Sequence, residues 1–201
     1  PLQWLKAEVT GFYMDFSNQI IPVSESSGGT GTGLVNGGST LHKGIESGIT
    51  ATLSELAGWT KARVELDAGI TFTDARFTGD RMIGGNVLRG NRTPYAPQWL
   101  INSAFLVQLG PCFGRLGVQY TGNQFSDELN TVAATPNGRT GLVPSYWTMD
   151  GNLGWKLKKH NMSFVLGLKN IGNERYIVSR RPQGIRVGLP RYVTFSIDFQ
   201  F

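Results

Sequence analysis

The stretch that decides the fold lies at the end of the chain: Val193-Thr194-Phe195-Ser196-Ile197-Asp198-Phe199-Gln200-Phe201. Apolar and polar residues alternate strictly, and a period of two belongs to a β-strand with unlike faces. Working backwards, Met162, Phe164, Leu166 and Leu168 alternate with Ser163, Val165, Gly167 and Lys169. Trp147, Met149, Leu153, Trp155 and Leu157 alternate with Thr148, Asp150, Asn152, Gly154 and Lys156. The same rhythm runs through Arg115–Thr121, Arg63–Phe72 and Ile45–Leu53. Two further segments are less regular. Trp99–Leu109 is apolar on both faces in places, and the apolar face of Leu5–Phe16 changes near Phe12-Tyr13. The reading is all-β, about eight strands, with no helix.

Composition narrows the class. Only 16% of the 201 residues are charged, against roughly 25% in an ordinary soluble domain. Glycine reaches 27 residues, yet hydrophobic residues make up 40%, so the chain is neither disordered nor collagen-like. One cysteine, Cys112, excludes a disulfide framework, and the separated His42 and His160 make no metal-ligand pattern. No apolar run approaches the length of a membrane helix, and no signal peptide opens the chain.

The connections alternate in length. Short ones are expected near Ser54–Lys61, Leu109–Cys112 and Leu157–Asn161, and long ones near Asn18–Ser39, Phe77–Pro97, Gln124–Ser145 and Ile171–Pro190. Most connections in compact soluble domains are only about 4–6 residues. Short turns at one end and long loops at the other describe an antiparallel transmembrane β-barrel, whose strands turn apolar rows to lipid and small polar residues to the lumen. A soluble β-sandwich or a lipocalin-like binder is the competing fold. A self-closed eight-strand outer-membrane barrel with a structural or adhesive role is a third. Pairing of the first strand with the last would mark the self-closed form; two unpaired edges would mark a piece of something larger.

Several segments in series carry a family resemblance. Leu41-His42-Lys43-Gly44-Ile45-Glu46, Asn91-Arg92-Thr93-Pro94-Tyr95-Ala96-Pro97 and Lys169-Asn170-Ile171-Gly172-Asn173-Glu174-Arg175-Tyr176 resemble the carboxy-terminal barrel of TonB-dependent outer-membrane receptors. Ser179-Arg180-Arg181-Pro182-Gln183-Gly184-Ile185 with Gly188-Leu189-Pro190-Arg191, and the opening Glu8–Ile20, look like its ferric-siderophore branch. The resemblance implies that residues 1–201 are the carboxy-terminal part of the barrel, similar to the last eight of about 22 strands, with the plug domain and signal peptide absent. It implies a Gram-negative outer membrane and TonB-dependent uptake of a ferric siderophore or similar anionic iron chelate. Iron enters only as cargo, with no resident cofactor or metal. The implied partners are outer-membrane lipid and lipopolysaccharide, the ferric siderophore, the barrel-assembly machinery, and TonB through the missing plug.

Candidate binding residues follow from charge. The last long loop holds Arg175, Arg180, Arg181, Arg186 and Arg191 against Glu174, and the second holds Arg81, Arg89 and Arg92 against Asp80. Guanidinium forks grip carboxylates and phosphates in bidentate fashion. Arg81, Arg89, Arg92, Arg180, Arg181 and Arg186 are therefore the candidate ligand-binding set, against the plainer reading of basic loops facing lipid phosphates. Phe195, Ile197, Phe199 and Phe201 form the expected membrane-assembly signal. Trp99, Trp147, Trp155, Tyr120 and Tyr146 are expected in interfacial aromatic girdles. Lys156, Lys158, Lys159 and His160 read as a solvated basic turn, and Gly28–Gly33 as a flexible loop tip. No Ser/His/acid set, phosphate loop or stacking platform with flanking lysines is present, which argues against an enzyme and against nucleic acid.

Overall fold

The computed structural model describes residues 2–26, 31–181 and 184–199. Eight long strands form one antiparallel sheet in sequential order. They are β1 (Leu5–Pro22), β2 (Leu34–Thr52), β3 (Ala62–Phe77), β4 (Trp99–Leu109), β5 (Cys112–Thr121), β6 (Tyr146–Leu157), β7 (Met162–Lys169) and β8 (Tyr192–Phe199). Each strand pairs with its sequence neighbour, so β1 and β8 stand at the two edges and do not meet. Among the described residues the self-closed eight-strand barrel is therefore not formed, and no second large sheet is stacked on the first as a sandwich requires.

The register shows why the alternation is so regular. Phe195 pairs with Leu166, Leu166 with Leu153, and Ile197 with Phe164. Val118 pairs with Met149, and Phe105 with both Leu66 and Leu116. These rows share one face, called here the outward face, and most of them are exposed. Among the described residues the buried apolar side chains are instead few, and Phe77, Leu88 and Val143 lie at or near the long loops. A water-soluble domain would hide these rows; a lipid-facing wall displays them.

Three expectations change. β1 does not switch faces at Phe12-Tyr13: its register with β2 is unbroken from Leu5 to Phe16. Phe12, Met14 and Phe16 lie on the inner face, where the Phe12 ring covers Gly44; a Cβ added there would come within 2.6 Å of Phe12 Cζ. The irregularity falls later, between Phe16 and Ile20, with Asn18 at a φ of 52°. Secondly, β1 and β2 extend to Pro22 and from Leu34, which shortens the first loop. Gly28 to Thr30 lie outside the described residues. Thirdly, Leu53 does not continue β2; it opens the one-turn helix α1 (Leu53–Leu56). That turn closes at Gly58, whose φ of 69° suits a left-handed helix end.

The other short connections are as tight as expected. Gly110, at a φ of 56°, precedes Pro111 between Leu109 and Cys112, which suits a two-residue hairpin. A 3-10 turn, Lys158–His160, ends at Asn161 with a φ of 48° and joins β6 to β7. At the other end the later long loops carry small hairpins: Met82–Ile83 with Asn86–Val87, Gln124–Phe125 with Leu142–Val143, and Ile177–Ser179 with Arg186–Val187.

Aromatic residues mark both ends of the outward face. Trp99 packs on Phe72 at 4.8 Å and Trp147 on Tyr120 at 4.6 Å, near the long loops. Trp155 sits opposite Cys112 at the short-turn end. Tyr146 leaves this pattern, because the register puts it on the inner face, where it stacks on Tyr176 at 4.2 Å.

Candidate functional site

The long loops interlock over one end of the inner face and enclose a cleft of about 780 Å³. Its floor comes from the upper ends of β1–β3, with Gln19, Thr40, His42 and Phe77. These strands run 16 to 19 residues, whereas about 9–11 residues cross a bilayer. Their surplus length is what carries the floor beyond the wall. Thr40 Oγ1 donates to Gln19 Oε1 at 3.1 Å, and His42 meets Phe16 edge to face at 5.3 Å.

The loop after β3 supplies Thr93, Pro94, Tyr95 and Ala96; the loop after β5 supplies Glu128; the last loop supplies Ser179, Arg181 and Arg186. Backbone and side-chain bonds join these segments. Asn130 accepts from the Arg92 N–H and donates to the Arg92 carbonyl, both at 2.8 Å. Asn91 donates to the Glu128 carbonyl at 2.9 Å. Tyr95, held at a φ of 55°, donates its N–H to the Phe125 carbonyl, and its hydroxyl accepts the Arg180 N–H at 3.1 Å. A non-glycine residue at positive φ persists only where its surroundings hold it, as here.

The six candidate arginines separate by environment. Arg89 makes a bidentate pair with Asp80, both contacts 2.8 Å, in the open. Arg92 donates to the Ala96 carbonyl and lies 5.5 Å from the Phe125 ring centre. Burial first, then nearby Arg76, shifts the Arg92 pKa downward. Arg180 is buried and donates to the Leu142 carbonyl at 3.2 and 3.1 Å, tying the last loop to the third. None of these three lines the cleft.

Arg81, Arg181 and Arg186 belong to it more closely. Arg81 lies 3.6 Å from Glu128 and donates to the Gly37 carbonyl and to Ser26 Oγ. Arg181 reaches Glu128 Oε2 at 3.3 Å, with both side chains buried. One carboxylate thus bridges guanidinium groups from two other loops. Arg186 is exposed and lines the cleft, and its side chain makes no hydrogen bond or ion pair among the described residues. Glu128 enters the charge count only as part of a slightly acidic loop, with Asp127 against Arg139, and is not in the candidate set; nothing in the sequence signals that it meets Arg81 and Arg181. Nearby, Asp127 Oδ1 accepts from Leu129 N, Thr131 N and Thr131 Oγ1, so it shapes its own turn.

Arg186 and Arg181 can offer donors to an oxyanion, with hydroxyls of Thr93, Tyr95 and Ser179 in the same lining. Among the described residues no group of three or more His, Cys, Asp or Glu stands close enough to hold a metal ion. Of the expected assembly signal, Phe195, Ile197 and Phe199 lie along β8, exposed on the outward face, and Phe201 lies outside the described residues.

The family described as TonB dependent receptor-like, beta-barrel matches residues 2–171. The chain belongs to this family. Its members are transporters and not enzymes. Among solved structures, the ferric citrate transporter FecA in unliganded form aligns with 97% of this chain and 28% of its own, at 24% identity and a TM-score of 0.75. The siderophore receptor PiuA from Acinetobacter baumannii aligns with 97% of this chain and 26% of its own, at 20% identity and a TM-score of 0.69. The copper transporter OprC aligns with 99% and 28%, at 15% identity and a TM-score of 0.73. At these identities the likeness is one of fold. The chain spans little more than a quarter of the length of each.

Proposed function

We propose that this chain is the carboxy-terminal part of an outer-membrane receptor barrel that takes up a ferric siderophore or similarly anionic iron chelate in a TonB-dependent way. In this reading the outward rows face lipid and the long loops face the medium. The unpaired edges of β1 and β8 receive further strands of the same receptor, because unpaired backbone groups in lipid cost several kcal/mol each, roughly. TonB is reached through a plug outside these residues. The carboxy-terminal residues Phe195, Ile197, Phe199 and Phe201 are read by the barrel-assembly machinery, and the basic loop surface meets lipopolysaccharide.

The observation that carries the cargo reading is Arg186: a cation lining the cleft with no partner of its own among the described residues. Arg181 stands in the same lining. Neighbours named for ferric citrate and for copper share this fold, so fold alone does not choose between them. An arginine-lined cleft suits oxygen-rich anions and disfavours a bare metal cation. The test is Arg186→Gln in the whole receptor, with ferric citrate as the probe. A charge-assisted hydrogen bond contributes about 1.5–3 kcal/mol, so binding is expected to weaken by about tenfold or more. Affinity unchanged at physiological salt would overturn the assignment of Arg186.

A further inference from the structure

The outward face of β4–β7 is not evenly filled. β5 and β6 carry glycine at two neighbouring outward positions, Gly114 and Gly151, opposite Leu153 and Leu116 respectively. Both glycines line an apolar groove of about 620 Å³, bounded by Phe105 and Leu109 of β4 and by Leu166 and Leu168 of β7. A Cβ added at Gly114 would press on Leu153 Cδ2 at 2.9 Å, whereas one at Gly151 needs only the flexible terminal methyl of Ile171, at 3.3 Å, to give slightly; Leu116 Cδ1 and the Arg115 carbonyl are at 3.6 Å. On the inner face the case differs, because the Phe113 ring lies directly on Gly154. Glycine inside a strand weakens it and marks a close approach by something else. At Gly151 the chain approaches with one flexible methyl of Ile171, and the rest of the groove stays open.

The groove starts at the short-turn end of the wall, where Leu109 opposes Cys112 and Cys112 opposes Trp155, and runs up to Ile171 just past β7. Just past that end comes the turn Lys158–His160, with all three side chains exposed. Neither lysine makes an ion pair among the described residues. An apolar trough with two exposed, unpaired lysines on the turn beyond its end has the shape and charge of a lipid binding site. We propose that the groove holds one acyl chain of an anionic phospholipid, from the leaflet on the short-turn side, with its phosphate on Lys158 and Lys159. This rests on the membrane reading above, and it separates this lipid from the exchanging lipid around the rest of the wall.

The experiment uses the whole receptor carrying this chain, extracted in mild detergent and offered equal phosphatidylglycerol and phosphatidylcholine before native mass spectrometry. The expected result is one tightly retained phosphatidylglycerol. Lys158→Gln with Lys159→Gln should lower the preference for phosphatidylglycerol by about tenfold while a chain is still retained. Gly151→Leu fills the groove and should abolish retention of both lipids; should that variant fail to assemble, Leu166→Trp fills it from β7. Unchanged retention in the groove variants, an unchanged headgroup preference in the lysine variant, or lipopolysaccharide retained instead would each overturn the proposal. A receptor absent from the membrane fraction would overturn the membrane reading itself; a membrane-embedded receptor retaining no lipid would overturn only the groove.

Discussion

The wall and the cap of this molecule invert each other. In the wall, large apolar side chains such as Leu153, Phe195 and Val9 are 64–74% exposed. In the cap, Asp127, Glu128, Arg180 and Arg181 are only 1–8% exposed. The wall is held by the backbone ladder, whose bonds do not depend on which side chain is present. The cap has no long ladder and is held by side chains: Glu128 between two guanidinium groups, Asn130 around the Arg92 backbone, and Arg180 on Leu142. Changes in the wall should therefore matter only where they touch the ladder. Changes in the cap should matter according to how deeply the charge is buried.

The largest effect is expected at Gly44 of β2. A side chain there would run into the Phe72 carbonyl oxygen on β3 and the Phe12 ring on β1, which lie on the two flanking strands. Gly44→Val should prevent assembly, read as loss of the heat-modifiable folded barrel from the membrane. Gly11→Val is the control, because a Cβ at Gly11 meets nothing within 4 Å. Equal assembly of the two variants would break the claim that ladder contact decides sensitivity in the wall.

Next comes the carboxylate of the cap. Glu128→Ala leaves Arg81 and Arg181 facing each other without that anion, and removing one partner of a buried pair costs about 3–5 kcal/mol. The lower end applies, since the Arg81 side chain keeps 15% exposure. The loops should become protease-sensitive while the strands stay folded, and ferric citrate binding should fall with the displacement of Arg181. A change below about 1 kcal/mol, the range of surface pairs, would mean that the cap does not depend on its buried charges.

The same inversion explains what could be read from sequence. β6 to β8 were legible because their faces differ: Phe195 and Ile197 on one side, Ser196 and Asp198 on the other. β1 was less so, because Phe12, Met14 and Phe16 are apolar residues on the inner face, where Phe12 covers a glycine of the next strand. Hydropathy cannot separate that from a change of face. Sequential antiparallel order followed from the alternating loop lengths, and the open edges needed the register. The cap was legible only as charge. Arg181 and Glu128 lie 53 residues apart, and no local pattern says that these two meet while Arg89 turns to Asp80. So arginines that brace the cap and an arginine that is free looked alike.

The smallest expected effect sharpens that last distinction. Arg89 and Asp80 form a bidentate pair with good geometry, both contacts 2.8 Å. Their side chains are nonetheless 60% and 71% exposed, so water and salt screen the attraction. Such pairs contribute about 0–1 kcal/mol, and ordering two long side chains offsets part even of that. Arg89→Ala should leave thermal unfolding nearly unchanged, and because Arg89 does not line the cleft, ferric citrate affinity should change by less than about twofold at physiological salt. The pair at Asp80 has shorter contacts than either guanidinium contact of Glu128, so distance alone ranks it first. If Arg89→Ala proved as damaging as Glu128→Ala, contact geometry would outrank burial in the cap.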